Sequence, residues 1–91
     1  MESFNLSGKT ALITGGNGGI GLAMAKSIGQ AGASVVIAGR NETKNKESVN
    51  FLKGLNIDCI SLTVDVTNEA SCESLIQKTV SHFGKINILV N

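Results

Sequence analysis

Lys9-Thr10-Ala11-Leu12-Ile13-Thr14-Gly15-Gly16-Asn17-Gly18-Gly19-Ile20-Gly21 decides how the rest of the chain is read. Ala11, Leu12 and Ile13 form an unbroken apolar run, so Thr10 to Thr14 reads as a short buried strand closed by glycines. From Ile20 onward the pattern turns helical, with Ile20, Met24, Ile28 and Ala31 spaced by three or four up to a close near Gly32. Between strand and helix lie five glycines in seven positions, Gly15 to Gly21. Glycine takes backbone angles closed to other residues and lets a ligand approach the main chain. The following helix aims its free N–H groups and positive dipole end into the same space. Strand, glycine turn and helix together predict a phosphate cradle; a tight turn without a ligand is the plainer alternative. The dipole adds only about 0.3–1 kcal/mol when exposed, so several N–H bonds must act together.

Ninety-one residues suit one domain or part of one, with a modest core. A net charge of +1 gives no reason to expect nucleic acid or an anionic membrane as partner. No apolar run approaches a membrane span, and the polar N-terminus does not read as a signal peptide. Cys59 and Cys72 fall in a predicted strand and a predicted helix, as small buried hydrophobes of a reducing compartment. The expectation is a cytoplasmic protein without disulfide or metal.

Working outward, Phe4 and Leu6 are the apolar anchors of a polar lead-in. Ser34 to Ala38 is a second strand, apolar enough for both faces to be covered. Asn41 to Lys53 reads as a largely exposed helix capped by Asn41, with Val49 and Leu52 as a thin apolar stripe and Phe51 offset. Gly54-Leu55-Asn56 ends it, and Ile57 to Val64 forms a third strand. A third helix is capped by Thr67, carries Cys72, Leu75, Ile76, Thr79, Val80 and Phe83 on one face, and stops at Gly84. Ile86 to Asn91 is a fourth strand. Both methionines read as core filler. The alternation predicts a Rossmann-type doubly wound parallel sheet, covering the first four strands and three helices of such a fold. Ligands of that architecture sit at the carboxyl ends of the strands. There the glycine turn, Arg40 and Asp65 collect.

Gly16-x-Gly18-x-x-Gly21 fits the common dinucleotide fingerprint, and Gly15-x-x-x-Gly19-x-Gly21 a wider variant. Arg40 stands past the second strand, where a dinucleotide site often places a carboxylate on the ribose 2′-hydroxyl. An arginine there suits a 2′-phosphate, hence NADP over NAD, unless its head group is merely solvated. Asp65 either accepts from the adenine amino group or belongs to the next helix cap. His82 is the one candidate base, but neither a serine nor a carboxylate is placed to work with it. Asp58, Glu69 and Glu73 read as surface charges.

In these pieces the chain resembles the short-chain dehydrogenase/reductase family. Thr14-Gly15-Gly16-Asn17-Gly18-Gly19-Ile20-Gly21 is similar to its Thr-Gly-x-x-x-Gly-x-Gly cofactor motif, and Leu6-Ser7-Gly8-Lys9 to its lead-in. Asp65-Val66 and Phe83 to Asn91 match further family motifs in register. The resemblance implies that Gly15, Gly19 and Gly21 meet the pyrophosphate, flanked by Asn17, Gly18 and Ile20, while Thr14 supports the turn. It places Arg40 and Asn41 at the NADP phosphate, Asp65 and Val66 beside the adenine, and Asn91 near the adenosine ribose. Family catalysis rests on a serine and a Tyr-x-x-x-Lys pair beyond the fourth strand, and this chain has no tyrosine. Asn87 replaces an aspartate often found there.

The resemblance implies an NADP-dependent oxidoreductase that interconverts an alcohol and a carbonyl, with residues 1–91 as a cofactor-binding portion incomplete at its C-terminus. It also implies a homo-oligomer with a small-molecule substrate. These 91 residues alone are expected to be inactive and to hold no catalytic residue. The alternative is a non-catalytic nucleotide-binding or structural module.

Overall fold

A computed structural model describes residues 5–15 and 17–91. In chain order they form β1 (Thr10–Thr14), α1 (Gly19–Gln30), β2 (Ser34–Gly39), α2 (Glu42–Gly54), β3 (Cys59–Thr63), α3 (Glu69–Phe83) and β4 (Ile88–Val90). The strands make one parallel sheet in the order β3-β2-β1-β4. Leu12 lies opposite Val36 on one side and Leu89 on the other.

Strand alternation sorts the core onto two faces. Ala11, Ile13, Val35 and Ile37 pack with Ala25 of α1 and with Val49 and Leu52 of α2. Leu12, Val36 and Ala38 point the other way, toward Val64 just after β3 and Leu75 of α3. With helices on both faces, every residue of the two central strands' interior is covered, which is why those runs are apolar without alternation. The doubly wound parallel architecture is therefore the one the sequence predicts.

Helix α1 is rotated from its expected phase. Its buried positions are Ala25 and Gly29, with Leu22 and Ile28 alongside, whereas Ile20 is 81% exposed and Met24 also faces out. The cause is close approach to the neighbouring structure. A Cβ on Gly29 would stand 2.5 Å from Ile57 Cγ2, so only the smallest residues fit on that face. Ala and Gly carry little hydrophobic signal, and the larger Ile and Met dominated the periodicity. Met24 is thus not core filler, and Met1 lies outside the described residues. So do Phe4 and Gly16. Leu6, the other lead-in anchor, is half-buried and donates its N–H to the Ala31 carbonyl.

The ends of α2 and α3 also differ in detail. Asn41 caps α2 as expected, its side chain accepting from the Lys44 N–H at 3.0 Å. The helix runs through Gly54, and the left-handed turn residue is Asn56, at φ 63°. Asn56 N–H donates to Lys53 and Ile57 N–H to Leu52, the paired bonds of a Schellman ending. Ile57 thereby closes the helix, and β3 begins only at Cys59. The cap of α3 is Asn68, which accepts from the Ser71 N–H, and not Thr67. Thr67 is already engaged, donating its hydroxyl to Asp65 Oδ1 at 2.6 Å. Gly84, at φ 84°, stops α3 as expected. Leu75 and Thr79 are buried on that helix, but Ile76 and Val80 are more exposed than the single-face reading predicts. Strand β4 is also shorter than expected, three residues from Ile88.

Candidate functional site

The carboxyl ends of all four strands meet along one edge, since Thr14 pairs with Ala38, Ala38 with Leu62 and Ile13 with Val90. The glycine turn, Gly39-Arg40, Val64-Asp65 and Asn91 emerge there side by side. Gly15 extends the β1–β2 ladder by one bond, its N–H donating to the Ala38 carbonyl at 2.8 Å. The chain then turns left-handed at Gly15 (φ 73°) and again at Gly19 (φ 55°), angles that favour glycine. A Cβ built on Gly15, Gly18 or Gly19 would meet nothing within 4 Å, so the hollow in front of the turn is open to a ligand.

The three helices end differently at this edge. Helices α2 and α3 begin with an asparagine cap and carry Glu42 and Glu69 in their first turns. Helix α1 begins at Gly18-Gly19 with no side-chain cap and no acidic residue in its first turn. Its leading N–H groups and its positive dipole end therefore face the hollow uncompensated, the arrangement that receives an anion. Gly21 lies half-buried in that first turn, and Ile20 projects outward beside it. The diphosphate of a dinucleotide fits this open, donor-lined hollow.

Arg40 is exposed just past β2, its Nη2 4.0 Å from Asp65 Oδ2. An ion pair this long and this wet adds little stability, so the guanidinium is easily drawn to another anion. Thr67 holds the Asp65 carboxyl below the ordinary carboxylate range, first through its hydroxyl and then through its backbone N–H, with Arg40 adding a smaller part. The Asp65 N–H donates to Ser71 Oγ, which anchors the turn to α3. Val66 is exposed next to it. The Asn41 side-chain oxygen is occupied by its capping bond. Thr14 turns its hydroxyl toward β4, within reach of the Val90 carbonyl (3.3 Å) and Asn91 Oδ1 (3.0 Å), rather than across the glycine turn.

Asn45 escaped the sequence reading, and Asn87 was singled out there without its structural role. Asn45, buried in α2, donates to the Gly39 carbonyl and accepts from Asn17 Nδ2. The signal was present: residues 45, 48, 49 and 52 share a helical stripe, and an asparagine on an apolar stripe needs buried partners. Asn87 pairs its backbone N–H and its side-chain oxygen with the Thr10 carbonyl and N–H, at 2.9 Å each. An amide oxygen there accepts the bond a carboxylate would. His82, the one candidate base, packs edge-on against Phe83 at a 4.5 Å centroid distance and has no place in this edge cluster. Among the described residues, no group of three or more His, Cys, Asp or Glu side chains is arranged to hold a metal.

Residues 9–91 match the sequence profile of short chain dehydrogenases. The chain is 40% identical over 84 residues to the peroxisomal 2,4-dienoyl-CoA reductase of Arabidopsis thaliana, covering 92% of this chain and 28% of that protein. Over 91 residues it is 38% identical to the 2-dehydro-3-deoxy-D-gluconate 5-dehydrogenase of Dickeya dadantii, covering all of this chain and 35% of the relative. It superposes on the crystal structure of a hydroxysteroid dehydrogenase from Escherichia coli with a TM-score of 0.94 at 35% identity, over 98% of this chain and 37% of that one. The 91 residues thus span about a third of the length of these relatives. By their names these relatives are one reductase and two dehydrogenases. From the glycine turn to the last strand, sequence and fold agree: the chain belongs to the short-chain dehydrogenase/reductase family.

Proposed function

We propose that these residues form the cofactor-binding part of an NADP-dependent oxidoreductase that interconverts an alcohol and a carbonyl. The observation that carries the proposal is the uncapped start of α1 behind an open glycine turn, with Arg40 at the end of the adjacent strand. In this reading Gly15, Asn17, Gly18, Gly19, Ile20 and Gly21 surround the diphosphate, and Thr14 supports the turn by tying the end of β1 to Val90 and Asn91. Arg40 and Asn41 receive the 2′-phosphate, Asp65 and Val66 border the adenine, and Asn91 lies near the adenosine ribose. The nicotinamide, when bound, supplies or accepts the hydride. What this chain's residues do is bind and orient the adenosine half. They include no tyrosine, so the isolated 91 residues bind cofactor without turnover.

The preference for NADP rests on charge. Arg40 offers a guanidinium where a 2′-phosphate would lie, and a charge-assisted bond of that kind is worth about 1.5–3 kcal/mol, roughly ten- to a hundred-fold in affinity. The matched relatives act on an acyl-CoA, a sugar acid and a steroid by their names, so the carbonyl partner is left as a small molecule of unspecified class. Among the described residues no helix is long and apolar enough to cross a membrane, and both cysteines are free thiols. The free thiols support placement in the cytoplasm, and we extend the proposal to a homo-oligomer. Calorimetric titration tests the core of the proposal. Tighter binding of NADPH than NADH is expected; equal affinities overturn the NADP preference, and no heat with either overturns the cofactor site.

A further inference from the structure

Asn45 is the most completely enclosed polar side chain near the candidate site, and its three bonds have a fixed polarity. Its Nδ2 lies 3.0 Å from the Gly39 carbonyl and 3.5 Å from the Leu62 carbonyl. Main-chain oxygens only accept, so the amide nitrogen must face them and Oδ1 must face away. That oxygen lies 3.0 Å from Asn17 Nδ2, which must then be the donor. One buried amide thus joins the glycine turn to the ends of β2 and β3. The join is tight. A Cβ on Gly39 would stand 2.6 Å from Asn17 Nδ2 and 2.8 Å from Asn45 Oδ1. The Gly39 carbonyl also accepts the Val64 N–H at 3.1 Å, so the peptide leading into Arg40 is held from two sides.

We propose that Asn45 is a positioning residue for cofactor discrimination: through Asn17 and Gly39 it fixes the distance between the phosphate-binding turn and the Arg40 guanidinium. The inference rests on the cofactor reading above. A 2′-phosphate and a 5′-diphosphate are carried by one ribose, so a site that reads both gains from holding its two anchors at a set separation. Among the described residues, Arg40 has its side chain held only by a long, exposed contact to Asp65. Its backbone is where the site gains order, and Asn45 supplies that order from beneath, without touching the nucleotide.

The test compares the parent chain with Asn45→Leu, which keeps the volume and removes the bonds, and with Asn17→Ala, which cuts the same link from the half-buried turn should Asn45→Leu fail to fold. Calorimetric dissociation constants are measured for NADPH and NADH. The NADPH-over-NADH preference is expected to fall roughly five-fold in either variant, the effect of losing one ordinary hydrogen bond. A residue with only a structural role would weaken both dinucleotides by one factor, and an unchanged ratio overturns the proposal. In the unliganded chain, Asn17→Ala is expected to shift the backbone amide resonances of Gly39 and Arg40; unmoved resonances also overturn it. A parent that binds neither dinucleotide overturns the cofactor reading and this inference together, whereas a parent that prefers NADPH beside variants of equal preference overturns this inference alone.

Discussion

Arg40 and Asp65 face each other across the ends of β2 and β3, and the charge of the site depends on how that contact is shared. The pair is long and exposed, so Arg40 keeps most of its attraction for an incoming phosphate. Replacing it in Arg40→Asp is expected to weaken NADPH far more than NADH, because the new carboxylate repels a 2′-phosphate and accepts from a 2′-hydroxyl. Equal losses by calorimetry would remove Arg40 from the site. The carboxyl of Asp65 is lowered chiefly by Thr67. A lowered folded-state pKa means that this contribution to folding is present above the ordinary carboxylate range and is lost as pH falls through the lowered value. Thr67→Val removes the larger of the two Thr67 bonds, so the Asp65 pKa should rise toward its ordinary value in a carboxyl-carbon NMR titration. An unmoved titration would show that the Thr67 hydroxyl does not set it.

Helix α1 carries the largest discrepancy between pattern and packing among the elements. The Ile20, Met24 and Ile28 spacing correctly marks a helix, but the sheet-facing stripe is Ala25 and Gly29. Gly29→Ala should gain up to about 1 kcal/mol of helix propensity. Against it stands the overlap with Ile57, three of whose side-chain atoms lie within 3.0 Å of the new methyl. Ile57 is buried and β-branched, so it cannot swing aside, and overpacking of this kind costs about 1–3 kcal/mol. A lower midpoint of thermal unfolding is therefore expected. A raised midpoint would mean that α1 shifts outward without penalty.

On the scale of the 91 residues together, helices cover both faces of the sheet, while its two edge strands, β3 and β4, are each paired on one side only. Leu89 is 63% exposed, and with Ile76 and Val66 it lines an open hollow of about 260 Å³ beside Asn91 and Thr14. A strand paired on one side only invites pairing with another chain. The 91-residue chain on its own is expected to self-associate at this edge, and Leu89→Lys to suppress the association by placing a charge on it. Light scattering that finds the parent a clean monomer, or the variant equally associated, would sink this expectation.

By itself, the sequence determined the order of elements, the parallel sheet and the place of the glycine turn. Each rests on local chemistry: apolar runs for covered strands, glycines for left-handed angles, Gly84 for a helix stop. Only the tertiary structure decided the phase of α1, the cap at Asn68 and the Schellman ending at Asn56 and Ile57. For α1 and for the α3 cap two local choices were open, and a neighbour distant in sequence or already bonded settled between them. Ile57 pressed on Gly29, and Asp65 took the Thr67 hydroxyl. The link from Asn17 through Asn45 to Gly39 belongs to the same class, because hydrogen-bond partners 28 residues apart are chosen by the packing of α2 on the sheet and by nothing local to either asparagine.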